Sequence, residues 1–317
     1  MGKIAFVFPG QGSQSVGMGY DLYQNHPAAK AYFDRANEAL DFSLSDLIFQ
    51  GPEEELKITY HTQPALLTTS IACLEAFKAA GVTPDYVAGH SLGEYSALVA
   101  AGVLKFEDAV RTVQARGKFM EQAVPGGLGA MAAVLGAERG ALAELCAAIT
   151  SGGSVVELAN VNCPGQIVVS GSKEGVAAVV ERCKEAGAKR AIPLEVSGPF
   201  HSSLMRPASE HLAEVLASVE MSQASVPVVA NVTARSVTQP GDIRGLLVEQ
   251  VYSPVLWEDT VAYLIGQGVD TFIELGSGTV LAGLIKKVDR SVRIISIGSL
   301  EALDKYLQEV VHEHANG

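Results

Sequence analysis

The chain has 317 residues, of which 48% are hydrophobic and 18% are charged, a composition typical of a soluble globular protein with a large core. The 35 acidic and 23 basic residues give a net charge of −12, which argues against nonspecific binding to nucleic acid or to an anionic membrane surface. Only five apolar residues precede Pro9, too few for a signal peptide, and no apolar run reaches the roughly 20 residues of a membrane span.

Short apolar runs alternate with helical patterns in the first and last thirds of the chain. The apolar runs predict buried strands at 4–8, 86–88, 228–230, 271–275 and 292–297. Segments with 3.6-residue periodicity predict helices at 28–40, 64–79, 106–124, 204–219 and 255–265. Strands that alternate with helices indicate an α/β protein with a parallel sheet covered on both faces.

The middle of the chain predicts a different order of elements. Strands are expected at 128–135, 155–160, 166–170 and 189–196, and helices at 138–149 and 173–186. The order βαββαβ is that of a ferredoxin-like fold. We therefore predict a small domain of residues 127–197 inserted into a large domain of residues 1–126 and 198–317, with a substrate cleft between them.

The four cysteines form no C-x-x-C pair and no cluster with zinc-ligand spacing. We interpret them as reduced and mostly structural, which is typical of a cytoplasmic protein, and we expect no metal site. A monomer is the default expectation, because the sequence itself does not reveal the oligomeric state.

A G-x-S-x-G motif at residues 89–93 has Ser91 at its centre. A predicted strand precedes it and a helical pattern follows, as in a nucleophile elbow, where the crowded turn needs glycine on both sides. The turn lifts the serine hydroxyl above a helix N-terminus, whose dipole favours developing negative charge. The alternative is a glycine-rich turn in which Ser91 only caps the helix. We interpret Ser91 as a nucleophile.

A serine nucleophile needs a base to take its proton, and His201 is the candidate. It stands in the sequence FHSSLM, on a loop where the inserted segment rejoins the large domain and can face the elbow. A loop histidine bonded only to a backbone carbonyl is the alternative, and His61 is not excluded by its pattern. Asp270 and Glu274 lie near a strand end, but nothing in the sequence ties them to His201.

The predicted helix 106–124 carries an arginine at a buried position. Its apolar face is formed by Phe106, Ala109, Val113, Met120 and Val124. Arg116 lies at the edge of this face, and a buried guanidinium needs a partner. The partner is either an Asp or Glu of the protein or the free carboxylate of a substrate, which arginine can hold through two parallel hydrogen bonds.

The motifs GQGSQ, GHSLGEYSALVAAG and FHSSLM, together with Arg116, resemble those of the malonyl-CoA:acyl-carrier-protein transacylases of fatty acid synthesis and the acyltransferase domains of polyketide synthases. The resemblance covers nearly the whole chain. It implies a hydrolase-like α/β domain with an inserted ferredoxin-like domain. It also implies transfer of malonyl from malonyl-CoA to the phosphopantetheine thiol of acyl carrier protein, without a cofactor. Whether the product enters fatty acids or polyketides stays open.

The resemblance also implies roles for individual residues. Ser91 is the acylated nucleophile and His201 the general base and acid, oriented by the main-chain carbonyl of Gln250. The backbone N–H groups of Gln11 and Leu92 are expected to form the oxyanion hole. Arg116 is expected to hold the malonyl carboxylate.

Three further positions match family residues that line the acyl and pantetheine site. Gln63 and Gln166 are two of them, with capping or turn bonding as the alternative. Phe200 stands where malonyl-selective relatives carry an aromatic residue, and its ring would crowd an α-methyl group. The sequence therefore predicts malonyl over methylmalonyl, with a discrimination limited to about 1–3 kcal/mol.

Two other functions remain compatible with the sequence. A thioesterase or esterase would share the elbow and the base but would not need Arg116. A noncatalytic carrier-binding scaffold would keep the surface but could lose the serine. An acidic carrier protein would require a local basic patch on this acidic chain. The candidates are Lys184, Lys189 and Arg190 in one group, and Lys286, Lys287 and Arg290 in another.

Overall fold

The computed structural model describes residues 2–315, which form two sheets and their covering helices. Within this range strands β1 to β11 span Lys3–Phe8, Tyr86–Gly89, Gly129–Leu135, Val156–Cys163, Gln166–Ser172, Arg190–Pro193, Val228–Val229, Ser236–Val237, Val255–Leu256, Val269–Leu275 and Arg293–Ile297. Helices α1 to α14 span Tyr20–Asn25, Pro27–Ala39, Leu44–Gln50, Glu53–Leu56, Thr59–Phe77, Gly93–Ala100, Phe106–Gln122, Arg139–Ser151, Lys173–Arg182, Arg206–Ala217, Pro240–Gln250, Trp257–Gly266, Val280–Val288 and Leu300–Ala315.

The large sheet has the strand order β11-β10-β1-β2-β7-β8. All neighbouring strands are parallel except β8, which is antiparallel to β7. In β1, Phe6 and Phe8 pack into the core on one face, whereas Ala5 and Val7 pack into the core on the other. The predicted parallel sheet with helices on both faces is confirmed.

The small sheet has the strand order β6-β3-β5-β4-β9. Its first four strands are antiparallel and are joined in the βαββαβ order, as in a ferredoxin-like fold, and α8 and α9 pack on its apolar core. The fold class is therefore an α/β domain with an inserted ferredoxin-like domain. The boundaries of the insertion at 127 and 197 stay a prediction.

Strand β9 corrects the prediction of a helix over 255–265. Val255 and Leu256 pair in parallel with Asn160 and Val161 of β4, and α12 begins only at Trp257. The N–H of Leu256 donates to the carbonyl of Asn231. These two residues are extended because their backbone groups find partners in β4 and at Asn231, which are distant in the sequence. Local periodicity does not reveal such partners.

Other element boundaries differ from the prediction for local reasons. Helix α5 begins at Thr59 and carries Pro64 in its interior, whereas the sequence predicts that the helix starts at this proline. The predicted helix 204–219 begins with a 3₁₀ turn at Ser203–Met205, followed by α10. No helix of residues 2–315 is both long and apolar enough to cross a bilayer.

Candidate active site

The site lies where β1 and β2 end, at the carboxyl edge of the parallel sheet. Ser91 sits between β2 and α6 with φ 52°, a left-handed conformation. A Cβ atom at Gly89 would collide with the backbone of Gly93, and one at Gly93 would collide with the carbonyl of Phe8. The predicted strand–turn–helix elbow is present, and only glycine fits on either side of its tip.

Ser91 and His201 are in direct contact. Ser91 Oγ lies 2.7 Å from His201 Nε2, and His201 Nδ1 lies 2.9 Å from the carbonyl oxygen of Gln250. His201 is also left-handed, with φ 57°, and is 4% exposed. Because the carbonyl is an acceptor, it fixes the tautomer with the proton on Nδ1, and Nε2 is left to accept the serine proton.

The alternative residues for base and orienting acid are engaged elsewhere. His61 Nδ1 bonds with the carbonyl of Glu55. Glu274 accepts from the N–H groups of Leu281 and Ala282 and so caps α13. His90, next to the nucleophile, turns its Nε2 toward Asn162 Oδ1 at 2.8 Å.

The imidazole of His201 is neutral at ordinary pH. Burial lowers its pKa to about 3, and the positive charge of Arg116 adds to this effect, while hydrogen bonding to the Gln250 carbonyl opposes it. A neutral imidazole bonded to a hydroxyl can act as a general base without first losing a proton.

Arg116 lies directly beneath the serine and is 1% exposed. Its Nη1 donates to Gln63 Oε1 at 2.8 Å, and its Nη2 donates to Gln250 Oε1 at 2.9 Å and to Ser91 Oγ at 3.3 Å. Nε is buried and has no acceptor among the described residues. Among the side chains described, those of residues 2–312, no carboxylate forms an ion pair with this guanidinium. Of the two predicted partners, a protein carboxylate therefore does not contact the guanidinium directly in the described part of the chain.

A cavity of about 220 Å³ opens above Ser91 and His201. Gln166 and Phe200 line it, as does Gln11. Gln63 does not. It is fully buried behind Arg116, and its Nε2 contacts Met120 Sδ at 3.5 Å. The structure thus places Gln63 against the guanidinium, because its Oε1 is an acceptor for that buried donor, rather than on the cavity wall where the sequence put it.

Two backbone N–H groups beside the serine are free. Within the described chain neither Gln11 N nor Leu92 N has an acceptor, whereas Ser91 N donates to Asn231 Oδ1 at 2.8 Å. Gly10 brings the loop close, because a Cβ there would collide with the carbonyl of His90. Free N–H groups beside a nucleophile can stabilise an oxyanion.

Two polar residues of the site were missed by the sequence analysis. Asn231 follows β7 and contacts the backbone of the elbow, with its Nδ2 donating to the carbonyl of Gly89 at 2.7 Å. Glu94, 3% exposed, accepts from Asn231 N and from Gln250 Nε2. A carboxylate in the otherwise uncharged and mostly buried helix GEYSALVA was the available signal for Glu94. For Asn231 it was a polar residue at the carboxyl end of a parallel strand.

The arrangement is suited to acyl transfer through a serine. A neutral imidazole touches the hydroxyl, free N–H groups stand beside it, and a buried cation lies within hydrogen-bond distance of its oxygen. The cation favours an acyl group that carries its own anion. No group of three or more His, Cys, Asp or Glu side chains in the described residues could hold a metal ion.

Comparison with known proteins gives the same kind of chemistry. The chain matches the family model for the acyl transferase domain over residues 5–306. It is 57% identical over 316 residues to the malonyl CoA-acyl carrier protein transacylase of Bacillus subtilis, covering 100% of both chains. An acyl carrier protein S-malonyltransferase from Vibrio cholerae superposes with a TM-score of 0.93 at 45% identity, covering 96% of this chain and 99% of that one. A malonyl-transacylase solved with its type II polyketide synthase acyl-carrier protein superposes with a TM-score of 0.93 at 43% identity. The match covers 97% of this chain and 99% of that one.

Proposed function

The chain belongs to the malonyl CoA-acyl carrier protein transacylase family of acyltransferases, and from this premise we propose that it moves malonyl from malonyl-CoA to the phosphopantetheine thiol of acyl carrier protein. The observation that carries the proposal is the contact of Ser91 Oγ with His201 Nε2 at 2.7 Å, above the guanidinium of Arg116. A malonyl-Ser91 ester is the intermediate.

In the first half-reaction His201 Nε2 takes the proton of Ser91 as its Oγ attacks the thioester carbonyl carbon. The negative charge that forms on the carbonyl oxygen is stabilised by the N–H groups of Gln11 and Leu92. The carbon–sulfur bond then breaks, and the coenzyme A thiolate takes the proton from His201. The carbonyl of Gln250 holds the imidazolium in place between these two transfers.

Arg116 couples the acyl group to the strength of the base. Its charge is the second cause of the low pKa of His201. A malonyl carboxylate bound to Arg116 compensates that charge, so the pKa of His201 rises toward its usual range once malonyl is in place. The imidazole therefore becomes a better base with a carboxylated acyl group than with a neutral one.

The second half-reaction reverses the first with a different thiol. His201 takes the proton of the phosphopantetheine thiol, whose sulfur attacks the ester carbon of malonyl-Ser91. Ser91 leaves and recovers its proton from His201. The chemistry uses only the chain, the malonyl thioester and the acceptor thiol, so we propose that the enzyme works without a cofactor or metal.

The position of Phe200 bears on which acyl group is preferred. Phe200 is 6% exposed and lines the cavity, which supports malonyl over methylmalonyl as the preferred acyl group.

Helix α13 lines the cavity with Leu281 and carries exposed Lys286 and Lys287 at its far end. Of the two basic groups, this one is therefore the better placed for an acidic carrier protein. We place the enzyme in the cytoplasm as a monomer, supplying fatty acid or polyketide synthesis.

Intact-protein mass spectrometry after incubation with malonyl-CoA tests the function. The expected result is one malonyl increment on the wild type, none on Ser91→Ala, and its transfer to added holo acyl carrier protein. Release of free malonate without transfer would instead identify a thioesterase, and no adduct at all would identify a noncatalytic protein. Either result would overturn the proposal.

A further inference from the structure

Glu94 is a buried carboxylate that the mechanism above does not use. It stands in the first turn of α6 and is 3% exposed. Its two oxygens accept from Asn231 N at 3.1 Å and from Gln250 Nε2 at 2.7 Å. No cationic side chain of residues 2–312 forms an ion pair with it. Because an unpaired buried charge is costly, the ionised form of Glu94 has to be balanced from farther away.

The amide of Gln250 connects this carboxylate to Arg116. Gln250 Oε1 accepts from Arg116 Nη2 at 2.9 Å, while Nε2 of the same amide donates to Glu94. The amide dipole is thereby aligned between an anion and a cation. Arg116 also favours the ionised form of Glu94 electrostatically, and among the described residues Glu94 is the carboxylate that acts on the pKa of Arg116. Glu94 and Arg116 are therefore linked through one amide, without direct contact.

A malonyl carboxylate disturbs this balance. When it binds to Arg116 it brings a second anion into a space that holds one cation, and like charges in a buried site disfavour double ionisation. A neutral acyl group such as acetyl brings no charge and leaves the pair unchanged.

We propose that Glu94, when ionised, is the counter-charge of Arg116, and that the malonyl carboxylate replaces it in that role, so that an ionised Glu94 takes up one proton from solvent when malonyl binds. The inference rests on the malonyl transfer proposed above. The step balances, because one carboxylate and one proton give one carboxylic acid and Glu94 forms no bond to the acyl group. Glu94 is therefore a specificity-determining residue that acts through Gln250 and Arg116.

The titration of Glu94 falls in an accessible range. Burial raises its pKa to about 8, against the opposing effects of the Asn231 N–H, Arg116 and Gln250. Of the elements packed on α6, α7 contributes the charged group that acts on this pKa, Arg116. Tyr95, its neighbour on α6, has a pKa raised by burial, and His201, which shares Gln250, has a lowered one. Neither titrates between pH 7 and 9.

The first test is the pH dependence of donor selectivity. We compare kcat/KM for loading of Ser91 by malonyl-CoA and by acetyl-CoA from pH 6.5 to 9.5. The two donors share coenzyme A, Ser91 and His201, so their ratio isolates the acyl group. We expect the ratio to be flat below about pH 8 and to fall about tenfold per pH unit above it, because ionised Glu94 must first be protonated.

Two variants test whether Glu94 causes the fall of the malonyl-to-acetyl kcat/KM ratio above pH 8. Glu94→Gln cannot ionise, so its ratio should be flat across the range. Glu144→Gln removes an exposed carboxylate on α8 and is the matched control, with the wild-type slope expected. A flat ratio in the wild type, or a slope that persists in Glu94→Gln, overturns the proposal.

A second measurement needs no variant and remains decisive if Glu94→Gln fails to fold. Wild-type enzyme is mixed at pH 8.5 with malonyl-CoA or acetyl-CoA in weak buffer with a pH indicator. Malonyl loading should take up as much as one more proton per acylated Ser91 than acetyl loading, which releases the same thiol. Equal proton counts would overturn the role of Glu94, whereas absence of malonyl-Ser91 would overturn the transferase itself.

Discussion

Replacing Arg116 by alanine should convert a malonyl-selective enzyme into an unselective one. A carboxylate held by the guanidinium accepts two charge-assisted hydrogen bonds of about 1.5–3 kcal/mol each, which together give about 3–6 kcal/mol. With about 1.4 kcal/mol per tenfold, kcat/KM for malonyl-CoA should fall by roughly 10² to 10⁴. Acetyl-CoA has no carboxylate to lose and should change by less than about tenfold.

The ratio of the two donors is the quantity to measure, because Arg116 also contacts the nucleophile. Its Nη2 donates to Ser91 Oγ at 3.3 Å, and loss of that bond affects both donors alike. Loading of Ser91 can be followed by quenched-flow and intact mass. Arg116→Lys keeps the charge without the planar fork, so its selectivity should lie between those of wild type and alanine.

The result that would refute this reasoning is an equal loss for both donors. It would mean that the guanidinium serves Ser91 rather than the acyl group. Truncation also leaves the amide oxygens of Gln63 and Gln250 without a donor, which costs about 1–3 kcal/mol of folding free energy each. A thermal unfolding curve of Arg116→Ala is therefore part of the experiment, so that loss of activity is not confused with loss of fold.

Four other outcomes follow from the site. With a His201 pKa near 3, acetyl loading should lack the acid limb that an ordinary imidazole gives near pH 6.5, and a limb there in a pH–rate profile would contradict the assignment. The unfolded chain binds a proton at this histidine below pH 6.5 that the folded chain does not, so His201→Ala should lose less unfolding free energy between pH 7 and 5 than wild type. Phe200→Ala should raise the methylmalonyl-to-malonyl ratio by about tenfold or more, and an unchanged ratio would place selectivity elsewhere. Asn231→Ala removes the acceptor of the Ser91 N–H, so loading from malonyl-CoA and acetyl-CoA should slow equally, and a selective loss would be inconsistent with that role.

Much of the fold was predictable because its signals are local. Buried parallel strands are continuous apolar runs, and β1 and β10 were found in this way. The pair Val255–Leu256 was not, since it is extended only by pairing with β4, some 95 residues earlier in the chain. Helix α11 was also missed, because Pro240–Gln250 contains two glycines and is held by buried Ile243 and Leu247 rather than by intrinsic propensity.

The site residues likewise divide into those with a local sequence signal and those without one. Ser91 is set in a motif of five residues, so its conformation was predictable from the sequence. The Gln250 carbonyl has no sequence signature, since every residue carries one, and only the family resemblance suggested it. Glu94 contacts Asn231 across 137 residues, and nothing near Glu94 in the sequence indicates that partner.

The left-handed backbone at Ser91 and His201 has a consequence for how this protein can evolve. Each such non-glycine conformation costs on the order of 1–3 kcal/mol, and of the three in the described chain, of which Ala234 is the third, two fall on the reacting pair. Glycine at either position would relieve that cost and make the chain harder to unfold, while removing its chemistry. Selection for thermal robustness alone would therefore erode these two positions first, and their retention marks the places where the enzyme gives up stability for activity.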